Sequence, residues 1–390
     1  MISLLIAGFQ MHQFASTHAA HCPGKVEKSR LSSLDGLRGI AILLVIGRHY
    51  FDDGGDLYPY GDAFSGFVLF KYGQMGVELF FIISGFVIAM TLETCRTPYE
   101  FLVRRFARIW PPLVVCSVIT FAILGALWWS PHSVAKHEIW ANFLPSLTLT
   151  PNLIWQPYFP GVDLVDGVYW SLLIEARFYL IALALYWAVP RMRFGHAVAL
   201  FTVANILCRA VVQRVLPGSN DIYSAAFVPD FMPWFAAGAV FYDLWHRRIG
   251  TWTALMFLFP MLLIIFRTNT FSKESPVVLS AFALIFFAMF WAVSQRYAIV
   301  RIFELRPLVL VGLCSYSIYL LHHEIGMAFI TSMPGSWPIG IQLFGILIVI
   351  AIMVGAGYLS FRFLEGPAGR VVTRSLLYPL RAMPVPVIGS

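Results

Sequence analysis

The sequence predicts an all-α, polytopic integral membrane protein with about ten transmembrane helices. Composition is the first reason. Apolar residues make up 59% of the 390 residues and charged residues only 12%, whereas a soluble domain carries about 25% charged residues. Mean hydropathy is +0.75. The second reason is pattern: the apolar residues come in long runs, not in the short alternating strands of a transmembrane barrel. The third is aromatic content, with 34 Phe, 12 Trp and 16 Tyr suited to lipid-facing and interfacial positions. Disorder, collagen, coiled coil and small disulfide scaffolds are excluded on composition. Cys95, Cys116, Cys208 and Cys314 lie in or beside apolar runs and Cys22 in a polar head. Their spacing gives neither a disulfide framework nor a metal motif.

The chain divides into a head at 1–30, a transmembrane domain at 31–364 and a tail at 365–390. The head opens with an apolar stretch, Met1 to Met11, too short to span and lacking a basic flank, so it reads as an interfacial or loose cytoplasmic segment. Spans are expected to start near Leu34, Gly76, Ile109, Val168, Gly195, Phe231, Thr251, Val277, Leu308 and Ile339. The first is short and charged, carrying Asp35, Arg38, Arg48 and His49. Between the sixth and seventh runs stand Arg247 and Arg248, and between the eighth and ninth Arg296, Arg301 and Arg306. Arg96, Arg104, Arg105 and Arg108 separate the second from the third. With ten spans every basic cluster falls on one side, while Asp52, Asp53, Asp56, Asp62, Asp163 and Asp166 fall on the other. The positive-inside rule then puts both termini in the cytoplasm. The net charge of +7 is thereby topological and calls for no nucleic acid. The longest external loop, Trp129 to Gly167, is rich in Pro and Trp and reads as an ordered lid or a wall of an acceptor site.

Charges inside spans are costly and face protein or a water-filled cavity. Arg38 and His49 are eleven residues apart, about three turns and about 16 Å, and so share one face of the first helix. That face reads either as an internal anchor, with Arg38 paired to Asp35, or as a cavity lining. Glu78, at the start of the second span, is expected on the level of His49, where it pairs with Arg48 or orients His49. Arg105 and Arg108 are neighbours on a helix face and serve topology or bind phosphate. Glu175, one turn from Ser171, must be paired, protonated or in water. Ser315, Tyr319 and His322 line one face of the ninth span, with His323 and Glu324 directed elsewhere. An enzyme and a membrane transporter or flippase of a glycan or small solute both fit such a bundle; matched broken spans in two halves, which transport would favour, are not seen in the sequence.

Five segments in this order resemble the membrane acyltransferase 3 family, bacterial transmembrane O-acyltransferases of glycans. They are LDGLRGIAILLVIGRH (Leu34 to His49), GVELFFIISGFVI (Gly76 to Ile88), RRFARIWP (Arg104 to Pro111), WSLLIEARFY (Trp170 to Tyr179) and SYSIYLLHH (Ser315 to His323). The resemblance covers about Leu31 to Leu364. It implies transfer of an acetyl or other short acyl group from a coenzyme A thioester to a sugar hydroxyl of a surface or exported glycan, in a bacterial inner membrane. The co-substrate is acetyl-coenzyme A or another acyl-coenzyme A, with no tightly bound cofactor and no metal. Partners are the donor, a glycan or lipid-linked saccharide acceptor and membrane lipids; a homo-oligomer stays open. His49 is expected as general base, since imidazole titrates near neutrality, with Glu78 and Glu175 beside the chemistry. Arg38, Arg105 and Arg108 are expected on the donor, and Trp170, Ser171, Tyr319 and His322 on the acceptor. Direct transfer and an acyl-histidine intermediate are both open.

Overall fold

The computed structural model describes residues 25–136, 139–216, 218–246, 258–266, 275–295 and 297–382. Among them the protein is an all-α bundle. The helices used below are α1 (Lys25–Phe51), α2 (Met75–Thr94), α3 (Pro98–Ala126), α4 (Pro131–Lys136), α5 (Phe143–Thr148), α6 (Trp170–Ala188) and α7 (Phe194–Val215). They continue with α8 (Asn220–Phe227), α9 (Met232–Trp245), α10 (Pro276–Gln295), α11 (Arg306–Leu313), α12 (Ser315–Thr331), α13 (Ile339–Ser360) and α14 (Gly366–Ala382).

Seven helical stretches among the described residues are long and apolar enough to cross a membrane. They rise to eight if α11 and α12, bent by 72° at their junction, form one broken span. This is fewer than the ten expected. The Leu34 segment does form a helix, α1, but Asp35, Arg38 and Arg48 keep it out of that set. Most of the Thr251 segment lies outside the described residues, as do Arg247, Arg248, Arg296 and the stretch Met1 to Met11.

Small residues let the helices approach closely where the site is built. Gly36 and Gly39 of α1 meet the backbone at Phe303 and Leu308, and Gly312 of α11 meets the Asp35 carbonyl, so a Cβ at any of them would collide with backbone. Gly85 and Gly238 pair α2 with α9 in the same way, against the Phe235 and Ile82 carbonyls. Close backbone approach through small residues is how membrane helices gain contact where lipid offers no hydrophobic drive. Helix α1 is consequently surrounded by α2, α11 and α12. Its Leu37, Ala41, Ile42 and Tyr50 are fully buried.

Helix α3 begins where Thr97 accepts from the Glu100 N–H and Glu100 accepts from the Arg96 N–H, a reciprocal cap. Its first half packs against α14, with Gly369 close to the Ala107 carbonyl. The segment expected as a tail thus forms a helix whose register is fixed against α3. A π-helical turn, Phe361–Glu365, joins α13 to α14.

Candidate functional site

Two polar regions stand at opposite ends of α1. The one at its C-terminal end surrounds His49. Tyr50, the next residue, donates from its hydroxyl to the His322 carbonyl at 2.7 Å, and it passes where Gly326 has no Cβ to block it. The Tyr58 hydroxyl donates to the His49 carbonyl and the Tyr60 hydroxyl to the Tyr50 carbonyl. These bonds hold the last turn of α1. The His49 Nδ1 lies 3.1 Å from Asp53 Oδ2. The hydrogen bond from His49 holds the Asp53 carboxyl down at about 2, with the nearby Arg48 charge adding to it. An ionised Asp53 accepts the hydrogen bond of Nδ1–H, which leaves Nε2 as the basic nitrogen.

The acid beside His49 is therefore Asp53 and not Glu78. Arg48 likewise pairs with Asp52 at 3.1 Å and Asp53 at 3.2 Å instead of Glu78. Both acids follow directly on the helix end, so folding back one turn orders few torsions. Glu78 sits in the first turn of α2, with Oε2 buried and without a hydrogen-bond partner among the described residues.

Three imidazoles converge here. The His49 ring lies 4.4 Å from His323, edge-on, and 5.4 Å from His322. His322 is fully buried. Its Nδ1 donates to the Tyr319 carbonyl at 2.9 Å, and its buried Nε2 has no partner among the described residues. His323 Nδ1 lies 3.1 Å from Asp166 Oδ1 and 3.3 Å from Glu324 Oε1. Glu324 is further held by His132 at 2.5 Å, by Lys136 at 3.4 Å and by the Gly167 N–H at 3.1 Å. His323 and Glu324, expected to point away, thus belong to the cluster. Asp166, His323 and Glu324 offer one possible metal-ligating atom each within 4.8 Å. Lys136 and His132 also engage Glu324.

Of the expected acceptor residues, Ser171 and Tyr319 meet at 2.7 Å, and Tyr319 also donates to the Val168 carbonyl at 2.8 Å. Tyr319 packs 5.6 Å from His322, so this pair adjoins the imidazoles. Trp170 packs on Phe231 at 5.5 Å and stays partly exposed; no contact ties it to His49. Glu175 accepts from the Ser84 hydroxyl and from the Tyr179 hydroxyl, the latter at 2.7 Å. It lies within electrostatic reach of Arg38 and Arg108, toward the other end.

That other end holds a cavity of about 640 Å³ lined by Arg38, Arg104, Arg108, Tyr316, Glu365, Arg370 and Arg374, among others. The bend between α11 and α12 opens it, with Gly312 and Ser315 on its wall. Arg38 also pairs with Asp35 at 3.0 Å. Arg105 does not line the cavity. It donates to Thr91 at 2.5 Å and lies over the rings of Phe101 and Tyr179, at 5.8 and 5.7 Å. Of the basic pair expected there, Arg108 alone is on the wall, joined by Arg104 and by two arginines of α14.

A sequence family described as an acyltransferase domain matches residues 31–361. The acyltransferase MdmB of Streptomyces mycarofaciens is 29% identical over 218 residues, 53% of this chain and 52% of that protein. The O-acetyltransferase OatA of Staphylococcus aureus is 25% identical over 374 residues, 86% of this chain and 57% of its own. The O-acetyl transferase of Shigella phage Sf6 is 26% identical over 156 residues, 38% and 43% of the two chains. The chain spans about half the length of these relatives. No solved structure matches it. The match over residues 31–361, together with an arginine-lined cavity and an imidazole cluster at opposite ends of one helix, makes this chain a member of the acyltransferase 3 family.

Proposed function

We propose that the protein transfers an acetyl or other short acyl group from a coenzyme A thioester to a sugar hydroxyl of an exported or cell-surface glycan. The observation that carries this reading is the polarity of α1. One end presents an imidazole oriented by a carboxylate, and the other opens on a cavity walled by five arginines. Guanidinium groups suit phosphate, through paired charge-assisted bonds. The donor's phosphates sit among Arg104, Arg108, Arg370 and Arg374, and its pantetheine arm runs past Arg38 toward His49. His49 Nε2 removes the proton of the acceptor hydroxyl as it attacks the thioester carbonyl. Ser171, Tyr319 and His322 border the acceptor, with Glu175 tying the arginine side of the path to α2.

The reading places the arginine end in the cytoplasm, where coenzyme A is made, and His49 on the far side of a bacterial inner membrane. Ten spans with both termini inside accord with the distribution of basic loops. Reporter fusions test the topology: a fusion after Arg374 should read cytoplasmic, and an external reading overturns it.

The activity is tested with membranes of the producing organism lacking the gene and complemented with this chain, which supply the native acceptor. Acetyl-coenzyme A should release thiol, and mass analysis should find new ester on surface glycans, both lost with H49A at equal protein level. Glycans unchanged by loss of the chain would overturn the proposal.

A further inference from the structure

On the acyl-transfer reading, on which this inference rests, His49 accounts for the proton but nothing yet accounts for the negative charge that develops on the thioester oxygen. We propose that His323, clamped by Asp166 and Glu324, is the cation that holds this oxyanion.

The argument is one of charge and geometry. Asp166 and Glu324 are buried, at 0% and 2% exposure. Two buried carboxylates need compensation, because an unpaired charge in a low-dielectric interior is costly. Lys136 supplies one positive charge, at 3.4 Å from Glu324, and it also reaches the exposed Asp163 at 3.6 Å. Of the two carboxylates His132 touches Glu324 alone, and its ring stands edge-on to His323 at 6.0 Å. His323 touches both carboxylates and is therefore the ring placed to carry the second charge. The other titratable rings facing it are His132, His49, whose own partner is Asp53, and His322. With Nδ1–H committed to the two carboxylates, the Nε2–H of a protonated His323 is left for a ligand. Its ring lies edge-on to His49 at 4.4 Å and keeps 17% side-chain exposure. Asp166 is fixed in turn, accepting from the Val168 and Glu324 N–H groups at 3.1 and 3.3 Å. The donor is thus preorganised, which is what lets such a group stabilise a transition state.

The step balances as follows. The acceptor oxygen bonds to the thioester carbonyl carbon while its proton passes to His49 Nε2. The carbonyl π pair moves to its oxygen, facing His323 Nε2–H. That pair then returns, the carbon–sulfur bond breaks, and the departing thiolate takes the proton from His49. Ester and free thiol are formed, and both imidazoles end as they began. His323 gives up no proton; Asp166 and Glu324 act as positioning residues.

The test uses the full-length chain in complemented membranes, with thiol release from acetyl-coenzyme A as readout. H323Q should lower kcat about 100- to 1,000-fold, as for loss of an oxyanion donor, with KM for acetyl-coenzyme A changed less than threefold. H323K, which restores a cation beside the same carboxylates, should recover at least tenfold over H323Q; a residue needed only for shape would not be rescued so. D166N leaves the ring in place and should cost about tenfold in kcat, which keeps the proposal testable should H323Q fail to fold. Turnover in H323Q and D166N within threefold of wild type, or H323K no better than H323Q, overturns the proposal. Loss of turnover in H49A with full turnover in H323Q would spare the base and reject the oxyanion role. A wild-type chain without transfer would reject both.

Discussion

The His49 and Arg38 ends of α1 hold charge in opposite ways. At the His49 end carboxylates, imidazoles and a lysine pair closely: His49 with Asp53, His323 with Asp166 and Glu324, and Glu324 also with His132 and Lys136. At the Arg38 end five arginines line one open cavity with a single carboxylate, Glu365, on its wall. Glu365 already accepts from Ser317 at 2.5 Å. The first arrangement is closely paired; the second keeps an excess of positive charge, with Asp35 on Arg38 and Glu100 on Arg104 offsetting part of it. A compensated cluster orients atoms, whereas an uncompensated one attracts a ligand that brings the missing charge. On the proposed reading, chemistry belongs to the first and binding to the second.

Substitutions can break or sharpen this contrast. The largest effect is expected for H49A, which removes the oriented base and should lower kcat roughly 100- to 10,000-fold, read as thiol release from acetyl-coenzyme A. The next is E324A. Removing a buried carboxylate strands His132 and takes one partner each from Lys136 and His323, and breaking a buried pair costs about 3–5 kcal/mol. Thermal unfolding in detergent should show a large loss of stability, and an unchanged melting temperature would mean that the cluster at the His49 end is not compensated as described.

At the Arg38 end R108A should weaken acetyl-coenzyme A binding by about 1.5–3 kcal/mol, the scale of a hydrogen bond to a charged group, with little change in stability. R105A should weaken it much less, since Arg105 is spent on Thr91 and two aromatic rings. Titration of each variant in nanodiscs measures both. Equal losses would move Arg105 onto the cavity wall.

The smallest effect concerns pH. The Asp53 carboxyl is held down at about 2 in the folded chain by the His49 hydrogen bond, against an ordinary value of 3.8. A depressed folded value contributes stability above the ordinary one and loses it as pH falls toward 2. D53N should therefore flatten the acid limb of thermal stability between about pH 4 and 2, where wild type declines. An identical acid limb in both would detach Asp53 from His49.

The helical class and the polar face of α1 were legible because Arg38 and His49 obey helical spacing, and intramembrane charge is rare enough to stand out. The partners of that face were not. Asp166 reaches His323 across 157 residues, and its loop position offered only a topological reading. Glu78 looked like the acid for His49 because it shares its depth, yet Asp53 wins by lying one turn beyond on the same chain. Arg104 and Arg105 are about 100° apart on their helix, so sequence cannot say which of them faces a cavity. The packing of α14 against α3 decides that, and it depends on Gly369 meeting Ala107. The span count fell short where hydropathy was asked to recognise α1, whose charges are matched by neighbours and not by apolar length.

Those neighbours bear on how the protein is made. A helix carrying Asp35, Arg38 and Arg48 enters lipid at a penalty, since each charge near the centre of a span costs about 2.5–3.5 kcal/mol on insertion scales. The backbone that closes against Gly36 and Gly39 belongs to Phe303 and Leu308, synthesised some 270 residues later. Contacts so distant in sequence form slowly. The earliest of the described helices to be synthesised is thereby among the last to be locked in place, and the cavity and the imidazole cluster at its two ends come into being together, at the close of assembly.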